Sequence, residues 1–246
     1  GGAGLADYAV GALIGEGAYG EVLLATRRAD GVQVALKRFK TEGEDEEERR
    51  YMERCRRRET ALVRLLGGHE NIVGVLADFA DGPTQYIAFE YWPSTVLALL
   101  EARPEGLGPA AARALCGQLL AALAHVHAAG LAHRDVKPEN LLVDARGARL
   151  RLCDFGAARR MGEDPEGGAG PELTHYVGSR WYRAPEVLAS GTDYGPPNDV
   201  WAAGVLLLEM AAGAPPFQGD DEAAVAADMA ALLGGPPESV AAGLRA

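Results

Sequence analysis

Leu13-Ile14-Gly15-Glu16-Gly17-Ala18-Tyr19-Gly20-Glu21-Val22 is the stretch on which the fold turns. Its G-x-G-x-x-G spacing lets a backbone turn tightly and bring N–H groups close to phosphate oxygens. Two architectures use that spacing. In a dinucleotide-binding fold a helix opens within the motif, and an acidic residue follows about twenty residues on. Here Glu21–Thr26 and Val32–Phe39 read as strands instead, joined at Asp30-Gly31, a strong hairpin signal. The glycines therefore cap a hairpin, and the dinucleotide reading fails.

The second of these strands carries Val34-Ala35-Leu36-Lys37. Such a lysine is either an edge residue facing water or, one strand away from the glycines, a phosphate contact. The acidic run Glu42–Glu48 reads as a solvated loop. Helix formers dominate from Glu47 to Leu66, with Leu62, Leu65 and Leu66 as the apolar stripe. Glu59 lies on the same helix, either exposed or paired with Lys37. Gly67-Gly68 ends the helix, and Ile72–Phe79 and Gln85–Phe89 read as two more strands. Glu90-Tyr91-Trp92-Pro93 breaks the strand pattern, which divides the chain into a β-rich segment, 8–91, and a helical one, 92–246.

In the helical segment, Val96–Ala102, Ala110–Ala129, Asn198–Ala212 and Asp221–Leu233 read as helices. The stripe of the second is Leu115, Leu119, Leu120, Leu123 and Val126. His125 and His127 stand two apart on it, face different sides, and read as packing or surface residues. Asp199 is expected as an N-cap.

Between these helices lies His133-Arg134-Asp135-Val136-Lys137-Pro138-Glu139-Asn140. It puts an acid, a cation and an amide, at Asp135, Lys137 and Asn140, on a loop that Pro138 keeps from continuing as a helix. A carboxylate accepts a hydroxyl proton, an ammonium holds a transferring phosphate, and an amide oxygen binds magnesium. Alone, the segment is as readily a solvated polar turn. A small hairpin, Leu141–Val143 and Leu150–Cys153, then delivers Asp154-Phe155-Gly156, an acid at a strand end opposite Asn140. That is a metal-site arrangement.

Composition bounds the rest. An apolar content of 48% over 246 residues is enough for one large domain or two small ones sharing a cleft. A net charge of −11 argues against general nucleic-acid binding. There is no apolar run of transmembrane length, and Gly-Gly-Ala-Gly lacks the basic start of a signal peptide. Cys55, Cys116 and Cys153 are too scattered for a disulfide framework or a zinc site, and read as small apolar residues in a reducing compartment.

With Ala184-Pro185-Glu186, five motifs occur in order, and the chain resembles a eukaryotic protein kinase from about Tyr8 to Pro237. Lys137 is similar to the serine/threonine type. The resemblance implies an α+β bilobal fold, a small β-rich lobe with one regulatory helix and a larger helical lobe, using ATP and Mg2+. It implies Asp135 as the base, Lys137 at the γ-phosphate, and Asn140 with Asp154 as magnesium ligands. Lys37, oriented by Glu59, meets the α- and β-phosphates under the loop of Gly15, Gly17 and Gly20. The adenine slot is implied as Ile14, Val22, Ala35 and Leu142, backed by Phe89, with the Glu90 carbonyl and Trp92 N–H bonding the base. Thr95 stands where some relatives carry an acidic ribose contact, and Asp199 is similar to the aspartate that braces the catalytic loop from below.

Leu173 to Arg183, with Thr174-His175-Tyr176, resembles the Thr-x-Tyr segment of the group holding the cyclin-dependent and mitogen-activated kinases, the CMGC group. Lys37-Arg38-Phe39-Lys40, Phe89-Glu90-Tyr91 and His133–Leu142 are similar to the cyclin-dependent-kinase-like family. The resemblance then implies that Arg58, Arg134 and Arg159 converge on phosphorylated Thr174, and that Arg180 and Arg183 meet phosphorylated Tyr176. An upstream activating kinase follows. Gly178 is implied to have positive φ with Arg183 holding its carbonyl, which favours substrates with Ser/Thr followed by Pro. Of the inhibitory Thr-Tyr pair in cyclin-type glycine loops only Tyr19 is present. Glu42–Arg58 does not resemble a cyclin-contacting helix, so cyclin is not expected. The expected location is cytoplasmic, with nucleus or cilium as alternatives. Against the pattern, the last helices of the large lobe are expected to be missing, and the rival reading is a pseudokinase scaffold that binds nucleotide without chemistry.

Overall fold

The computed structural model describes residues 4–17, 20–39, 46–161, 177–190 and 195–235. The chain forms two compact units, Gly1–Pro93 with Cys153–Gly156, and Ser94–Leu152 with Ala157–Ala246.

The first unit is built on an antiparallel sheet of order β1-β2-β3-β5-β4. Its strands are β1 (Tyr8–Gly17), β2 (Gly20–Arg27), β3 (Gln33–Phe39), β4 (Val75–Asp81) and β5 (Thr84–Glu90). The β2–β3 turn forms because Gly31 takes φ +72°, open to glycine without strain, while the Asp30 carboxylate accepts from the Val32 amide at 3.2 Å. Along β3 the side chains alternate. Val34 and Leu36 are fully buried with Tyr8, Ala25, Phe79, Tyr86 and Ala88. Phe79 stacks on both Tyr8 and Tyr86, with centroids 5.4 Å apart in each pair. Ala35 and Lys37 are thereby left on the opposite face. Gly20 is required by close approach: a Cβ there would collide with the Arg38 carbonyl oxygen of the paired strand.

Helix α1 (Glu46–Leu66) matches the expected span, but its buried stripe differs. A period of about 3.6 residues puts Glu59, Leu62, Val63 and Leu66 on one face, and all four are buried. Leu65, expected in the stripe, falls outside it and is 53% exposed. Strand β4 starts at Val75, later than the expected Ile72. The approach to it is shaped by Gly74, whose carbonyl accepts from the Glu90 amide at 3.0 Å and whose missing side chain makes room for the Glu90 carboxylate.

The second unit carries two short β elements and its helices. One is a three-stranded sheet of order β6-β8-β9, formed by β6 (Ser94–Thr95), β8 (Leu141–Val143) and β9 (Leu150–Leu152). The other pairs β7 (Leu131–Ala132) with β10 (Arg159–Arg160). The helices are α2 (Val96–Glu101), α3 (Pro109–Ala128), α4 (Pro185–Ser190), α5 (Pro196–Ala212) and α6 (Glu222–Leu233). Thr95 caps α2 by accepting from the Ala98 amide at 3.1 Å, and Asp221 caps α6 by accepting from Ala224 at 2.8 Å.

The α3–α5 pair is the core of this unit. Leu115, Leu119, Ala122, Leu123 and Val126 bury from α3, and Ala202, Ala203, Leu206 and Met210 from α5. Leu120, expected in the α3 stripe, is 43% exposed, and its place is taken by the smaller Ala122 and Cys116. Asp199 is not the N-cap it was expected to be. The two prolines Pro196 and Pro197, suited to a first helical turn, start α5 after Gly195 and leave Asp199 inside that turn. Gly213 ends α5 at φ +89°, where a Cβ would collide with the Pro104 carbonyl. Cys116 is buried and its thiol is pushed up by that burial, while Cys153 is half-buried. Among the described residues no helix is long and apolar enough to cross a membrane.

A buried polar contact joins Tyr182 to α5. The Tyr182 hydroxyl donates to Glu209 Oε2 at 2.9 Å, with both residues buried. Burial pushes the Glu209 carboxyl up to about 7; the tyrosine bond opposes this and the nearby Glu139 charge adds to it. A folded-state value above the unfolded one favours the protonated fold, so stability falls as pH rises from about 4.5 to about 7 and stays reduced above. Glu209→Gln keeps the acceptor and removes the proton equilibrium. Denaturant unfolding at pH 5 and pH 8 is expected to show the variant overtaking the parent at the higher pH, by about 3 kcal/mol at most. A constant difference between the two pH values would refute the account.

Candidate active site

The acid, cation and amide of the central loop meet in the second unit. Pro138 does not only stop a helix there: it occupies the first position of a single 3₁₀ turn, Pro138–Asn140. That turn folds Asn140 back on Asp135. The Asn140 amide donates to the Asp135 carbonyl at 2.7 Å and to Asp135 Oδ2 at 2.9 Å. Lys137 Nζ stands 2.9 Å from the same Oδ2. Both amide hydrogens are thus committed to Asp135, which leaves Oδ1 as the atom with which Asn140 would meet a hard cation.

Backbone strain marks the loop. Arg134 has φ +72°, uncommon for a residue with a side chain and costing on the order of 1–3 kcal/mol. Asp199 holds it. The fully buried Asp199 carboxylate accepts from the Arg134 amide through Oδ1 at 2.8 Å, and from the His133 amide through Oδ2 at 2.8 Å. His127 Nε2 lies 2.9 Å from the same Oδ2. His133 is itself fully buried, and its Nδ1 accepts from the Asp135 amide at 3.3 Å. A chain of contacts therefore runs from α3 through Asp199 to the backbone of Asp135. Sequence reading took His127 as a packing or surface residue, because its partner lies on a helix far along the chain.

The first unit holds the other candidate cluster. Lys37 Nζ lies 2.6 and 2.7 Å from the two Glu59 oxygens and 3.3 Å from Asp154 Oδ1. Burial alone would discharge Lys37, but the Asp154 and Glu59 carboxylates outweigh it and hold the ammonium above the usual lysine range. Burial pushes Glu59 up and Lys37 pulls it back; with both oxygens on Nζ, the pair is ionic. The Asp154 side chain is 41% exposed, so solvent screens its contact more than it does the buried Glu59 pair. Asp154 also has φ +59°, and with Arg134 it is one of two non-glycine residues at positive φ among those described. Both belong to motifs picked out in the sequence.

Sheet register assembles the expected nucleotide face. Directly opposed residues point to the same side. Gly15 opposes Val22, Val22 opposes Lys37, and Ala35 opposes Phe89. Gly15, Val22, Ala35, Lys37 and Phe89 thus share one face. Gly17 pairs with Gly20 at the end of the β1–β2 hairpin. Ile14 is exposed, Glu90 and Trp92 are half-buried, and Leu142 is half-buried in β8 of the second unit.

The regulatory candidates are placed more sparsely. Thr174, Tyr176 and Tyr19 lie outside the described residues. Arg58 is half-buried on α1, and its buried Nη1 has no hydrogen-bond partner among the described residues. Arg159 in β10 opposes Ala132, two residues before Arg134, so register brings these two arginines to one corner. Arg180 donates to the Asp220 carbonyl at 2.6 Å and Arg183 to Glu222 at 3.3 Å, so both engage the start of α6. Gly178 stands in the 3₁₀ turn Val177–Tyr182.

The protein kinase domain profile matches residues 8–234. The chain belongs to the protein kinase domain family. Among curated relatives, this kinase domain is 39% identical over 210 residues to cyclin-dependent kinase-like 5 of Homo sapiens, covering 85% of the chain and 21% of the relative. It is 37% identical to human cyclin-dependent kinase-like 2, over 85% of the chain and 40% of the relative. To mouse cyclin-dependent kinase-like 4 it is 37% identical, over 86% of the chain and 58% of the relative. The chain thus spans from about a fifth to somewhat over half the length of these relatives. The α+β fold, a β-sheet unit and a helical unit, and the similarity to the cyclin-dependent-kinase-like members of the CMGC group agree with the sequence reading.

Lys37→Met strands the Glu59 carboxylate in a buried site. The expected cost is about 3–5 kcal/mol near neutral pH. It shrinks toward pH 5, because an unpaired buried Glu59 has a folded-state value above its unfolded one and regains stability by taking a proton. Chemical denaturation at both pH values checks this, and a loss that does not ease in acid would contradict the ionic account.

Proposed function

We propose that the domain transfers the γ-phosphoryl group of ATP, with magnesium, to serine or threonine hydroxyls of proteins. The observation that carries this reading is the Asp135 carboxylate gripped at Oδ2 by Lys137 and Asn140, each at 2.9 Å. It orients an acceptor for the substrate hydroxyl proton beside a cation for the phosphate. The residues present fit the cofactors. Asn140 Oδ1 and the partly exposed Asp154 carboxylate are the hard oxygen donors magnesium takes, with phosphates and waters completing its shell. The metal supplies charge neutralisation at the transferring phosphate. Lys37, held charged by Glu59, would meet the α- and β-phosphates, and the face of Val22, Ala35 and Phe89 would pack the adenine.

Regulation by phosphorylation is part of the same reading. Thr174 phosphate would be met by Arg58, Arg134 and Arg159; the neighbouring register of the last two and the buried Nη1 of Arg58 support this. Tyr176 phosphate would draw Arg180 and Arg183 from their present partners near α6. An upstream kinase, no cyclin requirement and a cytoplasmic location, with nucleus or cilium as alternatives, complete the proposal. A preference for proline after the target residue is also part of the proposal, and it rests on Gly178 and Arg183 alone.

Labelled phosphate transfer from ATP to a protein substrate tests the core. Asp135→Asn is expected to lower the rate by roughly 10²–10⁴-fold. Chelation of magnesium should abolish transfer, and acid hydrolysis of the product should yield phosphoserine or phosphothreonine. Equal signal from parent and Asp135→Asn, or nucleotide binding without transfer, would instead indicate a scaffold.

A further inference from the structure

We propose that Gln118 is a positioning residue for Asp154, standing in for a missing strand at the edge of β9. The proposal rests on the phosphoryl-transfer reading and concerns the acid which that reading assigns to magnesium. Strand β9 is three residues long and lies at the edge of its sheet, with β8 as its one partner among the described strands. The Asp144 amide donates to the Arg149 carbonyl at 3.1 Å, so by antiparallel alternation the Ala148 carbonyl and the Leu150 N–H face away from β8. Gln118, half-buried on α3, meets both groups. Its Oε1 accepts from the Leu150 amide at 2.8 Å, and its Nε2 donates to the Ala148 carbonyl at 2.9 Å. A residue of an adjacent parallel strand would engage the same carbonyl and amide, two residues apart. A donor facing a carbonyl and an acceptor facing an N–H admit one orientation of the side-chain amide. The other Nε2 hydrogen goes back to the Ala114 carbonyl of α3 at 3.3 Å, so the group is held against turning.

That placement gives Gln118 a distinct task. Leu150 and Leu152 are fully buried, which holds β9 against the core. Burial is non-directional, and it does little to stop so short a strand from sliding along its own axis. Hydrogen bonds to a fixed point resist the slide, and Gln118 supplies them from a helix of 20 residues packed on α5. The turn before β9 is closed as a unit by Asp144, whose Oδ1 accepts from the Ala148 and Arg149 amides at 2.8 and 3.2 Å. Fixing Ala148 and Leu150 therefore fixes turn and strand together. Strand β9 ends at Leu152, two residues before Asp154, which sits at φ +59°. The strand end sets where that carboxylate is delivered, and a misplacement of about 1 Å at a reacting site costs as much as about 100-fold in rate.

Two measurements, each made for the parent, Gln118→Met and Gln118→Glu, test this. Methionine has a similar reach and suits a helix but makes neither bond; glutamate keeps the acceptor for Leu150 and loses the donor to Ala148. In residue-resolved amide hydrogen exchange, Gln118→Met is expected to speed Leu150 by about tenfold or more, with Leu123 and Val126 of α3 unchanged. Gln118→Glu is expected to hold Leu150 nearer the parent. In phosphoryl transfer at saturating ATP, the free magnesium giving half the maximal rate is expected to rise roughly tenfold in Gln118→Met, while ATP binding without magnesium, measured by calorimetry, stays within about twofold. Glutamate should fall between methionine and the parent.

Unchanged exchange at Leu150 in Gln118→Met overturns the proposal. So does faster exchange spread evenly along α3, which would make Gln118 a packing residue of the helix. Faster exchange at Leu150 with an unaltered magnesium requirement overturns it as well, since the clamp would then have no bearing on Asp154. Failure of the kinase reading shows separately, as equal transfer by the parent and Asp135→Asn, and the proposal then falls with it.

Discussion

The Asp199 carboxylate is the constraint on which the second unit's chemistry depends. A charge buried completely in an apolar core is tolerated only if hydrogen bonds replace its water, and here the donors are the loop amides of His133 and Arg134 together with His127. The requirement works in both directions. The loop satisfies the aspartate, and the aspartate forces Arg134 into a left-handed conformation it would not otherwise adopt. The Pro138 turn then closes Asn140 onto Asp135. A strained backbone and a buried charge stabilise each other, and the result is a fixed orientation for three polar side chains.

The first unit solves a parallel problem with a cation. Lys37 is placed by strand alternation on the face opposite the Tyr8–Phe79–Tyr86 stack, and burial would strip its proton if Glu59 were not presented by α1. Glu59 in turn is buried because it lies on the same helical face as Leu62 and Leu66. The charge pair is therefore a product of two periodicities, two in the strand and about 3.6 in the helix, meeting at one point. Breaking it from either side would leave the other charge uncompensated, which is costlier than never having buried the pair.

Local patterns were read well from the chain. The β2–β3 hairpin and the α1 and α3 spans follow from turn residues and hydrophobic spacing within a few positions of one another. Face assignments were less secure. Leu65 and Leu120 were placed in apolar stripes because leucine usually packs, yet both are exposed, and Glu59, Val63 and Ala122 occupy the buried positions. Residue type had been weighed above angular position on the helix. The N-cap assignment of Asp199 failed for a similar reason: an acidic residue near a helix start suits a cap, and nothing local shows that it points into the core instead.

By itself the sequence determined the motif set, the two-part α+β organisation and the identity of Asp135, Lys137, Asn140, Lys37, Glu59 and Asp154 as the residues to watch. These depend on spacing along one chain segment at a time. The Lys37–Glu59 pair was one of two readings open to the sequence, while tertiary structure alone decided other meetings across long separations: Lys37 with Asp154, His127 with Asp199, Tyr182 with Glu209. Hydrogen bonds and ion pairs act over about 3 Å, and that proximity is set by how helices and strands pack, which no local period encodes. His127 shows the difference most plainly, being an unremarkable histidine on α3 until α5 brings a buried carboxylate against it.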